Sequence, residues 1–315
     1  MTKHKKTRPL PNCHIFIPSY HRPKNLLTVK YFRKIGWDMR YITVFIDDET
    51  DDISEYEETA SEYGFNLHVF DMEEARRKYD YVHRASQSRR SAGQARNMFQ
   101  DYATEKDIDF YVVIDDDTRN FTTFMQRRVL KDRDTVRRSF IAVENLMRKR
   151  KIGVMGFPQH GDFVGGYTQG LFIRKVMNTT FYLLPYVYRA ERGVQDDDTS
   201  LFTGIINEGL FSGTILHSLV LQQMQSAMQK GGLTDLYNEC KLLNKALVTV
   251  MQFPSAIFAE KQERNGNRVH HRIRYKHLGP VIIKGTKEQD NIAWDKWPED
   301  YPFTNENKLY THKGD

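Results

Sequence analysis

The densest chemistry in the sequence lies where the apolar run Tyr111-Val-Val-Ile114 meets Asp115-Asp116-Asp117. An apolar strand that ends in three carboxylates carries them to a sheet edge, and open α/β sheets bind ligands just beyond the carboxyl ends of their strands. Alternate residues of an extended segment point the same way, so Asp115 and Asp117 address one ligand while Asp116 faces elsewhere. Hard divalent cations such as Mg²⁺ or Mn²⁺ take a few such oxygens and complete their shell with substrate phosphates. The competing reading is an acidic turn that caps the next helix. The surrounding sequence decides between the two.

Directly upstream, Gly93-Gln-Ala-Arg96-Asn97 falls on an expected helix. An arginine there can grip a phosphate bidentately, and a glycine lets backbone approach a ligand closely. Asp47-Asp48 closes an earlier β-branched run and offers carboxylates to a base or ribose. A second acidic triplet, Asp196-Asp197-Asp198, precedes the helical Thr199-Ser-Leu-Phe202. A carboxylate within hydrogen-bond reach can take the proton of an acceptor hydroxyl, and Asp196 or Asp197 is the candidate, with Asp198 left to cap the helix. The stretch Arg268-Val-His-His-Arg-Ile-Arg-Tyr-Lys-His277 interleaves cations and aromatic rings as a phosphate-facing strand or loop does. Arg268, His270, Arg272 and Arg274 are its candidate acceptor or DNA contacts, extended by Arg22, Lys24, Arg89 and Arg90, and His271 is a further candidate metal ligand.

These residues need a scaffold, and the hydrophobic pattern supplies one. Strands are expected over 14–20, 41–46, 66–70 and 110–114, separated by helices over 24–35, 51–63 and 91–102. That alternation predicts a parallel, Rossmann-like sheet in the first half. In the second half, 152–157 and 169–173 read as strands, 215–229 as helix, and 242–257 as an apolar run. The expected organisation is a basic tail (1–13), one domain (14–260) with a donor half (14–120) and an acceptor half (121–260), and a basic extension (261–315).

The 315 residues are 39% hydrophobic and 28% charged, a mixture that folds rather than staying disordered. A net charge of +6 and pI near 9.0 suit an anionic partner or plain solubility. No apolar run approaches a membrane span and the basic start lacks a signal peptide's hydrophobic stretch, so no membrane partner is expected and a cytoplasmic location is. Cys13 and Cys240 form no spaced metal or disulfide pattern and are expected to be reduced thiols.

Taken together, Ile17-Pro-Ser-Tyr-His-Arg-Pro23, the acids after the second strand, Gly93–Asn97, Val112–Asp117 and Val194–Ser200 resemble the GT-A glycosyltransferases. Gly231-Gly-Leu-Thr-Asp-Leu-Tyr237, Leu247–Met251 and Phe253-Pro-Ser255 are similar to the TET-associated glycosyltransferases, whose phage members act on hydroxymethylated pyrimidines in DNA. The resemblance implies a GT-A mixed sheet with helices on both faces, a UDP-sugar donor, Mn²⁺ or Mg²⁺ on Asp115 and Asp117, and a duplex DNA partner in the host cytoplasm. It implies donor contacts from Pro18, Tyr20, Arg22, Asp47, Asp48, Gly93, Arg96, Asn97 and Asp116, with Asp196 or Asp197 as base. The acceptor it implies is a hydroxymethylpyrimidine, 5-hydroxymethylcytosine first. The alternatives are a protein, lipid or glycan acceptor, a metal-dependent nucleotidyltransferase, or a nucleic-acid-binding protein whose acids only cap helices.

Overall fold

The computed structural model describes residues 13–79, 92–123, 129, 131–158, 170–172, 178–187, 196–216, 221–225, 242–262 and 268–278. Three parallel pairings start the sheet. β1 (His14–Pro18) lies between β2 (Ile42–Asp47) and β4 (Phe110–Val113), and β3 (Asn66–Phe70) adds outside β2. The register places Ile15 opposite both Ile42 and Val112. Further along, β8 (Asn178–Leu183) runs antiparallel to β4 and to β6 (Val154–Phe157), while β9 (Ser212–Leu216) pairs with β6 and with β7 (Gly170–Phe172). The result is one mixed eight-stranded sheet, ordered β3-β2-β1-β4-β8-β6-β9-β7.

Both faces of this sheet are covered, as a sheet with a parallel centre requires. On one face Ile15, Ile17, Val44, Val112 and Phe181 pack under α1 (Leu27–Lys34), α2 (Ile53–Tyr63) and α5 (Arg133–Arg150). The residues between them, Phe16, Phe45, Tyr111, Val113 and Tyr182, turn to the other face. There they meet α3 (Met72–Lys78), α4 (Ala92–Glu105) and α6 (Asp197–Asn207). Tyr111 stacks on Phe16 at 4.6 Å and on Tyr182 at 5.0 Å between ring centroids, so aromatic layers tie the parallel strands to the antiparallel ones.

α6 is buried nearly all round because it is packed twice. Leu201 and Ile205 face the sheet, whereas Phe202 and Ile206 join a separate cluster with Ala256, Ile257 and Leu278. That second cluster belongs to α7 (Leu242–Gln252) and the antiparallel hairpin of β11 (Ile257–Gln262) and β12 (Arg268–Ile273). The hairpin therefore straddles Lys261.

The alternating first half and the mixed sheet are as the sequence predicts. One element is corrected: residues 215–229, expected as helix, contribute β9 and then β10 (Leu221–Gln225), which pairs with β5 (Thr118–Thr123). The β-branched Thr214 and Ile215 fit the slot between β6 and β7, and cross-strand pairing overrides the helical preference of the Leu/Gln/Met residues that follow. The expected helix at 24–35 begins at Leu27, since the preceding loop is used to hold an acidic residue, described below. The thiol of Cys13 is buried and pushed up to about 12 by burial first, whereas Cys240 lies outside the described residues. Among the described residues no helix is long and apolar enough to cross a membrane.

A tight joint lies where α5 returns into β6. A Cβ at Gly153 would stand 2.1 Å from the backbone carbonyl oxygen of Tyr186. Backbone gives way poorly, so Gly153→Ala is expected to destabilise the fold by about 2 kcal/mol or more. Urea denaturation checks this, and an unchanged midpoint contradicts the packing described.

Candidate active site

The strand order reverses at β1, whose chain successors lie at β2 on one side and β4 on the other. Such a switch point opens a crevice at the carboxyl ends of the two strands. The residues beyond β1 are Ser19 to Arg22 and those beyond β4 are Asp115 to Asp117, so the topology itself brings two of the sequence motifs together.

The acidic tip is clamped from α1. The Thr28 hydroxyl donates to the Asp115 carbonyl and accepts the Thr118 N–H at 3.0 Å, while the Thr28 N–H donates to the Asp116 carbonyl at 3.1 Å. Held this way, the three side chains diverge. Asp116 turns inward and is 4% exposed. Its Oδ1 accepts Arg22 Nη1 at 2.6 Å and its Oδ2 accepts the Ser19 hydroxyl at 2.7 Å. Tyr56, fully buried on α2, closes the ring: its hydroxyl lies 2.8 Å from Ser19 Oγ and accepts the Arg22 N–H at 3.0 Å. Burial nevertheless outweighs the arginine and raises the Asp116 carboxyl to about 6.

Asp117 is also raised to about 6, by burial first and then by the charges of Asp115 and Asp116. Its Oδ1 is enclosed and has no hydrogen-bond partner, an arrangement that a cation resolves and an apolar pocket does not. Asp115 is the more open acid, with 30% of its side chain exposed.

Arg96, from the first turns of α4, spans the crevice. Its Nη2 lies 3.3 Å from Asp115 Oδ1 and its Nη1 contacts Asp197 Oδ2 at the start of α6. One guanidinium thus joins the two acidic triplets, which stand 82 residues apart by subtraction of 115 from 197. Gly93 and Asn97 are buried on the same helix. Asp196 adopts the left-handed backbone conformation, φ +56°, and its carboxylate Oδ2 lies 3.1 Å from Nδ1 of the buried His271 on β12.

Other expected site residues stand apart from this cluster. The Asp48 carboxylate accepts the Met72 N–H at 2.9 Å, and the buried Asp47 accepts the Glu49 N–H at 3.2 Å, both at the neighbouring end of β2. Pro18 ends β1 opposite Phe45, and Tyr20 packs on the ring of His21. Arg22 is not part of an exposed basic surface as the sequence suggested; only 11% of its side chain is exposed and it is committed to Asp116, because the isolated carboxylate demands a cation. Lys24 is exposed and pairs with Glu55, and Arg89 and Arg90 lie outside the described residues. On the outer hairpin face Arg272 pairs with Glu260 and Arg274 stacks over Phe258 at 4.3 Å. His270 shares that face by register, and Arg268 begins the strand. Sequence reasoning missed Thr28, Ser19 and Tyr56 as supports of the acids. The only signal for them is a small hydroxyl near a helix start and a tyrosine on an otherwise polar helix. Among the described residues, no group of three His, Cys, Asp or Glu converges as a metal cage does.

A family model described as TET-associated glycosyltransferase matches residues 13–232. Among solved structures, glucosyl-3-phosphoglycerate synthase from Mycobacterium tuberculosis, in complex with Mn²⁺, uridine diphosphate and glucosyl-3-phosphoglycerate, gives a TM-score of 0.46. The identity is 10%, over 86% of this chain and 88% of that one. A mannosyltransferase from Pyrobaculum calidifontis, in complex with GDP-Man and Mn²⁺, gives 0.47 at 14% identity, over 78% of this chain and 63% of that one. No curated protein matches the chain.

The Arg22–Asp116 pair generates a test with a defined pH sign. A carboxyl whose folded pKa exceeds its ordinary 3.8 binds its proton more tightly in the native state, so this group's contribution to stability is greatest below pH 4 and is lost as pH rises through about 6. Arg22→Met strips the charged form of its partner and is expected to cost about 3–5 kcal/mol at pH 8. Denaturation at pH 8 and pH 5 checks the pair: the penalty shrinks at pH 5, and an equal penalty at both contradicts it.

Proposed function

We propose a reaction from the premise that the family match supplies: the chain belongs to the TET-associated glycosyltransferase family, and its crevice beyond β1 and β4 takes a nucleotide sugar whose sugar passes to a DNA base. The observation that carries this reading is Arg96, one phosphate-competent cation lying between Asp115 and Asp197. A GT-A type of donor site needs these three functions side by side.

Asp115 and Asp117 hold a divalent ion, Mn²⁺ or Mg²⁺, and the enclosed, partnerless Oδ1 of Asp117 supports that assignment. Two carboxylates would suit such an ion, which takes oxygen ligands and binds through one or two carboxylates. When bound, the ion neutralises charge on the departing diphosphate. Arg96 donates its N–H groups to the same diphosphate as negative charge develops there. Asp116 acts indirectly, fixing Ser19 and Arg22 and with them the loop containing Tyr20, where the nucleoside lies between Pro18 and the acids Asp47 and Asp48.

In the transfer, an acceptor hydroxyl oxygen forms a bond to the anomeric carbon, the bond from that carbon to the diphosphate breaks, and a nucleoside diphosphate leaves. Asp197 receives the hydroxyl proton. Of the two candidate bases it is the one that faces Arg96, whereas Asp196 faces His271.

The acceptor is the hydroxyl of a hydroxymethylpyrimidine in phage duplex DNA, with 5-hydroxymethylcytosine the first candidate. The family supports this reading, as do the net charge of +6 and the Arg268, His270, Arg272 and Arg274 face of the hairpin. A base inside a duplex has to be reached in a groove or taken out of the stack.

The test incubates purified protein with Mn²⁺, a panel of UDP-sugars, and unmodified or hydroxymethylcytosine-containing duplex, then weighs the digested nucleosides. The expected product is a hexose or pentose mass gain on the hydroxymethylated base alone. Asp115→Asn and Asp117→Asn are expected to lower turnover by about a hundredfold or more while leaving the fold intact. UDP release without a nucleoside product moves the acceptor elsewhere. Full turnover in both variants overturns the metal assignment.

A further inference from the structure

Asp196 and Asp197 are consecutive carboxylates with different partners. Asp197 faces Arg96 in the crevice, and Asp196 faces His271 on the C-terminal hairpin. Asp196 also sits at φ +56°, a left-handed conformation that is strained for a non-glycine residue and persists where its surroundings hold it. Part of that hold is local, since the Asp196 carbonyl accepts the N–H groups of Thr199 and Ser200 at 3.0 and 3.1 Å. Those bonds are made by the backbone and start α6.

A contact to its side chain comes from 75 residues away, by subtraction of 196 from 271. His271 lies opposite Ala259 in the hairpin and only 4% of its side chain is exposed. Its Nδ1 lies 3.1 Å from Asp196 Oδ2, within ion-pair distance. Its Nε2 lies 3.3 Å from the hydroxyl of Thr199, which is itself fully buried in the first turn of α6. The imidazole therefore spans residues 196 and 199 and pins the turn from which Asp197 emerges. Apolar packing of Phe202 and Ile206 against Ala256, Ile257 and Leu278 fixes the helix over the hairpin and keeps the ring in place.

We infer that His271 is a positioning residue: by holding Asp196 in its left-handed turn it keeps Asp197 aimed at Arg96, in the transfer proposed above, on which this role rests. Both ring nitrogens face protein groups, so this role replaces metal ligation for His271. The hairpin's basic outer face and the proposed base are then parts of one packed unit, α6 with β11 and β12.

His271→Leu removes both contacts, while His271→Asn keeps a donor near the Nδ1 position. The expected result for His271→Leu is a kcat lowered about tenfold or more, with the donor KM and the Mn²⁺ affinity in the presence of UDP, read by electron paramagnetic resonance, within about twofold of wild type. His271→Asn is expected to recover most of the rate, and serves alone if the leucine variant does not fold. Adding Asp196→Asn to His271→Leu is expected to cost little more than either change alone, since the two residues act as a unit. A lowered Mn²⁺ affinity makes His271 a metal ligand and overturns the inference, as does an unchanged kcat.

A readout independent of turnover separates this inference from the transfer reading. In metal-free protein, the ¹H–¹⁵N ring signals of His271, assigned by their loss in His271→Asn, are expected to shift in Asp196→Asn. If wild type transfers no sugar and the shift is present, the transfer reading fails while the bracing stands. If the shift is absent, the bracing itself is overturned.

Discussion

Three adjacent carboxylates repel one another, and at about 4 Å near a protein surface each pair costs roughly 4 kcal/mol before any counter-charge. The carboxyl edge of this sheet is organised around that cost. Asp116 is drawn inward to Arg22, Ser19 and, through Ser19, Tyr56; Asp115 is met by Arg96; Asp117 keeps an enclosed oxygen without a partner. Thr28 holds the backbone so that the three cannot spread. Each neutralising group comes from a different element, so the charge problem binds α1, α2, α4 and the loop after β1 into one site.

The same logic extends to α6. Its first-turn acid Asp197 shares Arg96 with Asp115, and its preceding residue Asp196 meets His271. Because α6 buries one face on the sheet and the other on the hairpin, it joins the sheet to the hairpin. Hydrophobic burial on both faces supplies the stiffness that consecutive acids at the helix start require.

Much of this is legible in the sequence. The parallel half follows from strands and helices that alternate at regular spacing, and the acid tip follows from apolar residues 111–114 running into 115–117. Arg96 and the 196–198 triplet are identifiable as residue types, but their meeting is not, since nothing local relates residues so far apart. What sequence cannot give is set by tertiary contact: Ser212–Leu216 and Leu221–Gln225 pair as strands against β6, β7 and β5, and Thr28 and Tyr56 become supports only because the strand order brings β4 beside β1. Arg22 looked like a surface cation for the same reason, as its partner Asp116 lies 94 residues on.

In the proposed transfer the metal and the diphosphate meet at Asp115, Asp117 and Arg96. The most direct measurement is a crystal structure of the protein soaked with Mn²⁺ and UDP, with anomalous scattering used to place the ion. An anomalous peak is expected within bonding distance of an Asp115 or Asp117 carboxylate oxygen, with the diphosphate against Arg96. A peak held by other residues, with the diphosphate away from the ends of β1 and β4, would contradict it.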